Sequence, residues 1–343
     1  MSLTNPSQLL VRNMHLLEGN NILVIGCPDP LFFQELSEHS PHAQVTSYNI
    51  NYADHQAIKQ QNPDVDCVFS EQYHTINKHD LVIYYFPKSK PEFVMHMAML
   101  SNYLTEQAIV MFVGENKGGV KSVTKLAKPY AARCDKVDSA RHCILFEMIF
   151  NNQSCDFDLE QWFKSYPLTL NDTTLIVKAL PGVFSHSELD IGTKLLLDNL
   201  PALSGQVLDF GCGAGVIGCF VKKANPHVRI DMLDVNALAI ASAKRTLQEN
   251  QLEGHVFASN GLQQVTDNYH VVLSNPPFHQ GLKTHYFVTE QFLENIKHHM
   301  QPKATLTIVA NNFLKYAPII KNALNNYQLI ANERGFAIHQ AQR

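Results

Sequence analysis

No stretch of this chain stays apolar for the roughly 18 to 20 residues a membrane-spanning helix needs, so no membrane-embedded role is expected. The segment MSLTNPSQLLVRNMHLLEGN lacks the basic start and long apolar core of a secretion signal. Cysteine is sparse and unpatterned. The seven residues (Cys27, Cys67, Cys134, Cys143, Cys155, Cys212 and Cys219) are odd in number and widely spaced, with no C-x-x-C. That usage fits a reduced, cytoplasmic protein. No His/Cys cluster has metal-ligand spacing, so no metal is expected. An excess of basic charge is missing as well. The net charge is −4 and the pI about 6.5, whereas phosphate contacts need Lys and Arg. Any nucleic-acid contact must therefore rest on a local patch.

What is present is material for a large core. Apolar residues make up 45% of the 343 residues and charged residues 17%. The length suits two ordinary domains. In the second half QVLDF (206–210) leads into the glycine-rich GCGAGVIG (211–218) and a helical stretch. RIDMLDVN (229–236), an alanine-rich helix, HVFASN (255–260), HVVLSN (270–275), a helix at about 287–300 and ATLTIVAN (304–311) follow. Strands alternating with helices predict a doubly wound, mostly parallel sheet.

The first half repeats this order. Asn21 to Cys27 matches Gln206 to Cys212, and Tyr48 to Asn51 matches Leu233 to Asn236. DLVIYYFPK (80–88) matches HVVLSNPPF (270–278). The offset grows from 185 (Gly26 to Gly211) to 196 (Ile109 to Thr305), as small loop insertions would produce. Two copies of one α/β domain are expected, spanning residues 1–155 and 165–343, with the boundary in the polar stretch 150–167.

A glycine-rich turn between strand and helix lets a backbone approach a ligand closely, and the helix N-terminus presents free N–H groups. Dinucleotide and S-adenosylmethionine sites both use one. Here the turn is Asp209-Phe210-Gly211-Cys212-Gly213-Ala214-Gly215. An acid before G-x-G-x-G resembles the first motif of class I methyltransferases, where it stands near the ligand's ammonium. Asp234, ending the next strand, can accept hydrogen bonds from two ribose hydroxyls, or could instead cap the following helix. Val235 neighbours it, and Asn260 and Gly261 fall where the fold places adenine contacts.

Ser274-Asn275-Pro276-Pro277-Phe278 closes an apolar strand. Proline bars Asn275 from the helical region, and two prolines make a rigid turn without N–H groups. The Asn275 side-chain oxygen and the Pro276 carbonyl remain as fixed acceptors. They suit a flat –NH2 group, whose delocalised lone pair must be localised before it attacks a methyl carbon. Positioning then supplies much of the acceleration. Phe278 can stack on the base, which must be unpaired or flipped to enter.

Residues outside these motifs carry a more specific resemblance. YYFPKSKPE (84–92), GENKGGVKS (114–122), KVDSAR (136–141) and LPGVFS (180–185) with LDIG (189–192) resemble the ribosomal RNA small subunit methyltransferase C family over nearly the whole chain. The resemblance implies two tandem Rossmann-like domains, the N-terminal copy degenerate. It also implies S-adenosylmethionine as methyl donor and a guanine N2 in helix 34 of 16S rRNA, within the 30S subunit, as target. A monomer is expected. Phe184 and Asp190 are expected to cover the cofactor pocket from the side, or to form an ordinary loop and N-cap before a helix at 189–199. Competing readings are a 23S rRNA or protein-glutamine enzyme of the same motif class, and an assembly module without catalysis.

The first copy has lost the chemistry. Gly213 and Gly215 correspond to Pro28 and Pro30, Asp234 to Asn49, Asn275 to Tyr85 and Phe278 to Lys88. RNA contact is the role expected of it instead. Lys117, Lys121, Lys125 and Lys128 recur at i, i+4, i+8 and i+11, one face of a helix if the segment is helical. Lys88 and Lys90 are expected to extend that face.

Overall fold

The computed structural model describes residues 2–276 and 283–343. It divides into two compact units, Met1–Trp162 and Phe163–Arg343. The first holds β1 (Asn21–Ile25), β2 (Gln44–Asn49), β3 (Asp66–Phe69), β4 (His79–Tyr85), β5 (Leu104–Glu115), β6 (Ala131–Ala140) and β7 (Cys143–Phe150). Its sheet runs β3-β2-β1-β4-β5-β7-β6. The five parallel strands come first, and β7 pairs antiparallel with β5 and β6. Side chains alternate along β1. Leu23 and Ile25 join one buried cluster, and Ile22 and Val24 another. That is why these strands read as continuous apolar runs: both faces are covered.

Among the described residues the α-helices of this unit are α1 (Asn5–Arg12), α2 (Pro30–His39), α3 (Tyr52–Gln61), α4 (Lys90–Leu100) and the single turn α5 (Val123–Leu126).

The second unit opens on a hairpin, β8 (Lys164–Leu170) and β9 (Thr173–Ala179), followed by α6 (Ile191–Asp198). Its sheet comprises β10 (Gln206–Phe210), β11 (Arg229–Asp234), β12 (His255–Ala258), β13 (Tyr269–Ser274), β14 (Met300–Asn311), β15 (Asn325–Glu333) and β16 (Phe336–Gln342). The order β12-β11-β10-β13-β14-β16-β15 reproduces the first sheet position for position. The expected duplication of a doubly wound, mostly parallel sheet is what the structure contains, with seven strands in each copy. The helices are α7 (Val216–Ala224), α8 (Ala237–Glu249), α9 (Lys283–Asn295) and α10 (Tyr316–Ala323).

The hairpin was not anticipated from the sequence. Its two-residue turn, Asn171-Asp172, has φ of +47° and +63°, which these side chains tolerate and the twist of a hairpin favours. Leu168, Leu170, Leu175, Val177 and Ala179 alternate inward. The outer edge of β9 is satisfied by side chains of the α8 segment. Ile176 N donates to Asn250 Oδ1 at 2.9 Å, and Leu180 N donates to Ser242 Oγ at 3.0 Å.

In each sheet the strand order reverses between the first and fourth strands. In the second unit β10 lies between β11 and β13, both parallel to it. A crevice opens at the carboxyl ends of the strands at such a point, and there the chain brings Gly211–Gly215, Asp234 and Asn275 together.

Candidate active site

The glycine turn is built by backbone geometry. Gly211, Gly213 and Gly215 all have positive φ, at +71°, +53° and +78°, a region costly to any residue with a Cβ. Gly215 is the N-cap of α7, and a Cβ there would lie 3.0 Å from Ala243 Cα and Cβ. The turn is tied down at its start by Gly211 N and Cys212 N, both donating to Leu233 O at 2.9 Å.

Asp234 closes the turn from β11. Its Oδ2 accepts from Gly213 N at 3.0 Å and its Oδ1 from Asn236 N at 3.0 Å. Asn236, not Asp234, caps α8, accepting from Leu238 N at 2.8 Å. Each Asp234 oxygen keeps a second lone pair for a hydroxyl donor. Burial raises its pKa, against the hydrogen bonds that hold it down.

Asp209 is fully buried beneath the turn. Its Oδ2 accepts from Gly218 N at 2.9 Å. Gly218 must be glycine to come so near, since a Cβ would sit 2.3 Å from Met232 Sδ. Oδ1 has no hydrogen-bond partner among the described residues. Burial pushes the Asp209 carboxyl up to about 7, partly offset by the Gly218 N–H, with Asp234 adding repulsion.

Asn260 and Gly261 follow β12 and line a cavity of about 330 Å³ that α9 closes with Val288, Gln291, Phe292 and Asn295. Asn260 is anchored through its backbone N–H to Gln264 Oε1 at 2.8 Å. A Cβ on Gly261 would meet open space. Phe292, which lines this cavity, stacks on Phe210 with ring centroids 3.8 Å apart. Phe184 is 54% exposed, and its carbonyl and Cβ lie beside Gly213.

Asn275 follows β13 and is fixed at both amide hydrogens. Nδ2 donates to Asp190 Oδ2 at 3.0 Å and to Thr193 Oγ1 at 2.9 Å. Asp190 caps α6, accepting from Thr193 N at 2.9 Å, and spends the same oxygen on Asn275. Thr193, which sequence reasoning missed, is buried. The only hint was its place three residues after a capping acid. Pro276 is buried beside Asn275. Pro277 and Phe278 lie outside the described residues.

The first unit's counterpart is filled by its own side chains. Gly26 keeps a positive φ of +67°, but Pro30 opens α2 directly behind Asp29. The Asp29 carboxylate accepts from Thr4 N at 2.9 Å and from the Thr4 and Ser7 hydroxyls. Asn49, where the second unit has Asp234, donates to Cys27 O at 3.0 Å.

The basic stripe is not one helix. Lys117 sits in a 3₁₀ turn (Asn116–Gly118), Lys121 in another (Val120–Ser122), Lys125 in α5 and Lys128 in a third (Lys128–Tyr130). Gly119, at φ +88°, breaks the run. The four lysines are exposed, as are Lys88 and Lys90. Lys90 does approach them: its Cε lies 3.6 Å from where a Gly119 Cβ would be. Arg133, in contrast, is paired with Asp135 and Glu147. Among the described residues no group of His, Cys, Asp or Glu could hold a metal.

Residues 174–340 match the methyltransferase small domain family, and residues 7–166 match the methyltransferase small domain N-terminal family. Fold and sequence together thus define a methyltransferase of the Rossmann-like class, in which S-adenosylmethionine is the methyl donor. The relatives narrow this. Ribosomal RNA small subunit methyltransferase C of Colwellia psychrerythraea is 44% identical, over 100% of this chain and 98% of its own length. That of Vibrio parahaemolyticus is 41% identical, over 98% of each. The chain belongs to the ribosomal RNA small subunit methyltransferase C family. Among solved structures, the T. thermophilus 16S rRNA N2 G1207 methyltransferase, in complex with AdoMet and guanosine, superposes with a TM-score of 0.86. It is 18% identical and covers 99% of this chain and 92% of its own, so it bears on the fold.

Proposed function

We propose that this protein methylates the exocyclic N2 of one guanine in helix 34 of 16S rRNA within the 30S subunit, in the cytoplasm. The observation that carries the reading is Asn275. Its amide is held by both hydrogens at the mouth of the glycine-turn crevice, which leaves the oxygen as acceptor for an amine. The family membership and the guanosine in the T. thermophilus structure favour guanine over glutamine.

The residues of the crevice fit S-adenosylmethionine. The unpartnered Asp209 Oδ1 suits a cationic donor such as the ligand's ammonium. Asp234 would hold the ribose hydroxyls, and Asn260 with Gly261 the adenine edge. Gly211, Cys212, Gly213 and Gly215 would present the backbone, while Val235 and Phe184 flank it. When bound, the ligand supplies a methyl carbon whose bond to a positively charged sulfur breaks as the new N–C bond forms. Asn275 Oδ1 and the Pro276 carbonyl each accept one hydrogen bond from the guanine amine. That grip draws the nitrogen towards tetrahedral geometry and aims its lone pair. No strong base is required, because the proton is lost after the N–C bond has formed. Pro277 would stiffen the turn and Phe278 would stack on the base.

The first unit, which would bind no S-adenosylmethionine, would hold RNA through Lys88, Lys90, Lys117, Lys121, Lys125 and Lys128. A patch of this size gives a chain of net charge −4 a local attraction to phosphate.

The deciding experiment transfers labelled methyl from S-adenosylmethionine to 30S subunits, 50S subunits and free 16S rRNA from cells lacking this gene, followed by nucleoside analysis. N2-methylguanosine on 30S, mapped to helix 34, is the expected result. Label on 50S or on protein would overturn the substrate. No label anywhere would make a non-catalytic assembly role the leading reading.

A further inference from the structure

The side chains around Asn275 carry an inference that rests on the reading of Asn275 as the amine acceptor. A carboxamide has two ends of similar shape and opposite hydrogen-bonding character. If Asn275 could rotate by half a turn about its terminal bond, its NH2 would face the target amine, donor against donor. The amine would then lose one of its two fixed acceptors. The amide must therefore be held in one of two nearly isosteric states, and Asn275 cannot do this alone.

Asp190 and Thr193 do it together. A carboxylate accepts and has no hydrogen to give, so Asp190 Oδ2, 3.0 Å from Asn275 Nδ2, selects the NH2 end. Thr193 Oγ1 takes the second hydrogen at 2.9 Å. Thr193 is 3% exposed, which leaves water little chance to replace it. Asp190 is itself immobilised by Thr193 N, at 2.9 Å, as the N-cap of α6. The clamp thus forms a closed ring of three hydrogen bonds among three residues. Its rigidity comes from the start of α6, where Asp190 and Thr193 lie 85 and 82 residues upstream of Asn275. The flipped amide would direct its oxygen at the Asp190 carboxylate, acceptor against acceptor, so that state is disfavoured by charge as well as by lost bonds.

We propose that Asp190 and Thr193 are positioning residues for methyl transfer: by taking both hydrogens of the Asn275 amide they fix its oxygen towards the substrate amine. Neither residue touches substrate in this scheme. Asp190 acts here through Asn275 rather than as a contact to the methyl donor, which separates this role from the one its sequence position suggested.

Three variants test it: Thr193→Val, which keeps the shape and removes the acceptor; Thr193→Ser, which restores a hydroxyl; and Asp190→Asn, which keeps a good helix cap but can present either end to Asn275. Each is assayed for single-turnover methyl transfer to 30S subunits lacking the mark, for S-adenosylhomocysteine affinity by calorimetry, and for Tm. Asn275→Ala is run beside them. The proposal expects Thr193→Val and Asp190→Asn to slow transfer by roughly tenfold or more, with KM for 30S and S-adenosylhomocysteine affinity within about threefold of wild type. Thr193→Ser should recover most of the rate. Wild-type rates in both Thr193→Val and Asp190→Asn, with Asn275→Ala inactive, would overturn the clamp and leave the amine-acceptor reading intact. An active Asn275→Ala would overturn both. Loss of S-adenosylhomocysteine affinity in Asp190→Asn in step with the rate would return Asp190 to the cofactor and refute its role here. Should Thr193→Val fail to fold, Thr193→Ser and Asp190→Asn still decide, through the split between rate and affinity.

Discussion

The Ser7 hydroxyl lies 2.7 Å from the Tyr85 hydroxyl in the first unit, the same pairing that Thr193 and Asn275 make in the second. Ser7 is the third residue of α1, whose N-cap is Thr4. Thr193 is the third residue of α6, whose N-cap is Asp190. Each helix reaches the residue at the carboxyl end of the fourth strand of its sheet. The duplication thus extends to individual hydrogen bonds, and the first copy has kept the scaffold of the contact while replacing what it presents.

Asp29 and Pro30 occupy the turn where the second unit has Ala214 and Gly215, so the first unit lacks the Gly213 and Gly215 backbone of that cradle. Calorimetric titration with S-adenosylmethionine should therefore give one site per chain, and Asp234→Ala should weaken that one site. A second site surviving in that variant would contradict the account of the first unit.

Asp234 accepts from the Gly213 N–H of the glycine turn and is proposed to receive the ribose hydroxyls. Truncation to Ala should raise the dissociation constant for S-adenosylmethionine by about 10- to 100-fold, as expected for losing charge-assisted hydrogen bonds of about 1.5–3 kcal/mol. Circular dichroism should be unchanged. An unaltered dissociation constant would remove Asp234 from the ligand.

Asp209 sets a pH dependence of stability. Its carboxyl ionises near 7 in the folded chain, well above the value in an unfolded chain, about 3.9. Between these values the native state binds more protons than the unfolded state, so this group's contribution falls as pH rises from about 4 through 7. Asp209→Asn keeps the acceptor for Gly218 N and avoids the buried charge. Denaturant unfolding of the ligand-free protein at pH 8 should show the variant more stable by about 1 kcal/mol or more, with the difference shrinking towards pH 5. Its S-adenosylmethionine affinity should fall. A constant stability difference across this range would show that Asp209 is not the group responsible.

The lysines between Lys117 and Lys128 are exposed, so reversing them should not affect folding. Lys121, Lys125 and Lys128 changed together to Glu should raise KM for 30S subunits by about tenfold or more at physiological salt. The dependence of KM on salt should also become shallower, since fewer counterions are released. Methylation with unchanged KM would exclude this patch from the RNA face.

The sequence by itself determined that one pattern of alternating strands and helices occurs twice, and which copy kept the glycine turn and the Asn-Pro-Pro residues. Strand and helix periodicities are local, and the replacements of Gly213 and Gly215 by Pro28 and Pro30 change the backbone wherever they stand. The hairpin at Lys164–Ala179 was less legible, although its inward alternation and Asn171-Asp172 turn are local signals. Only the tertiary structure decided that the lysine stripe is broken, because Gly119 adopts a left-handed conformation that a spacing argument does not register. Only it revealed that Asp190 and Thr193 grip Asn275. Such contacts join residues distant in sequence, and they depend on where the end of α6 meets the end of β13. Residue type states what a side chain is able to donate or accept, and the folded backbone decides which partner receives it.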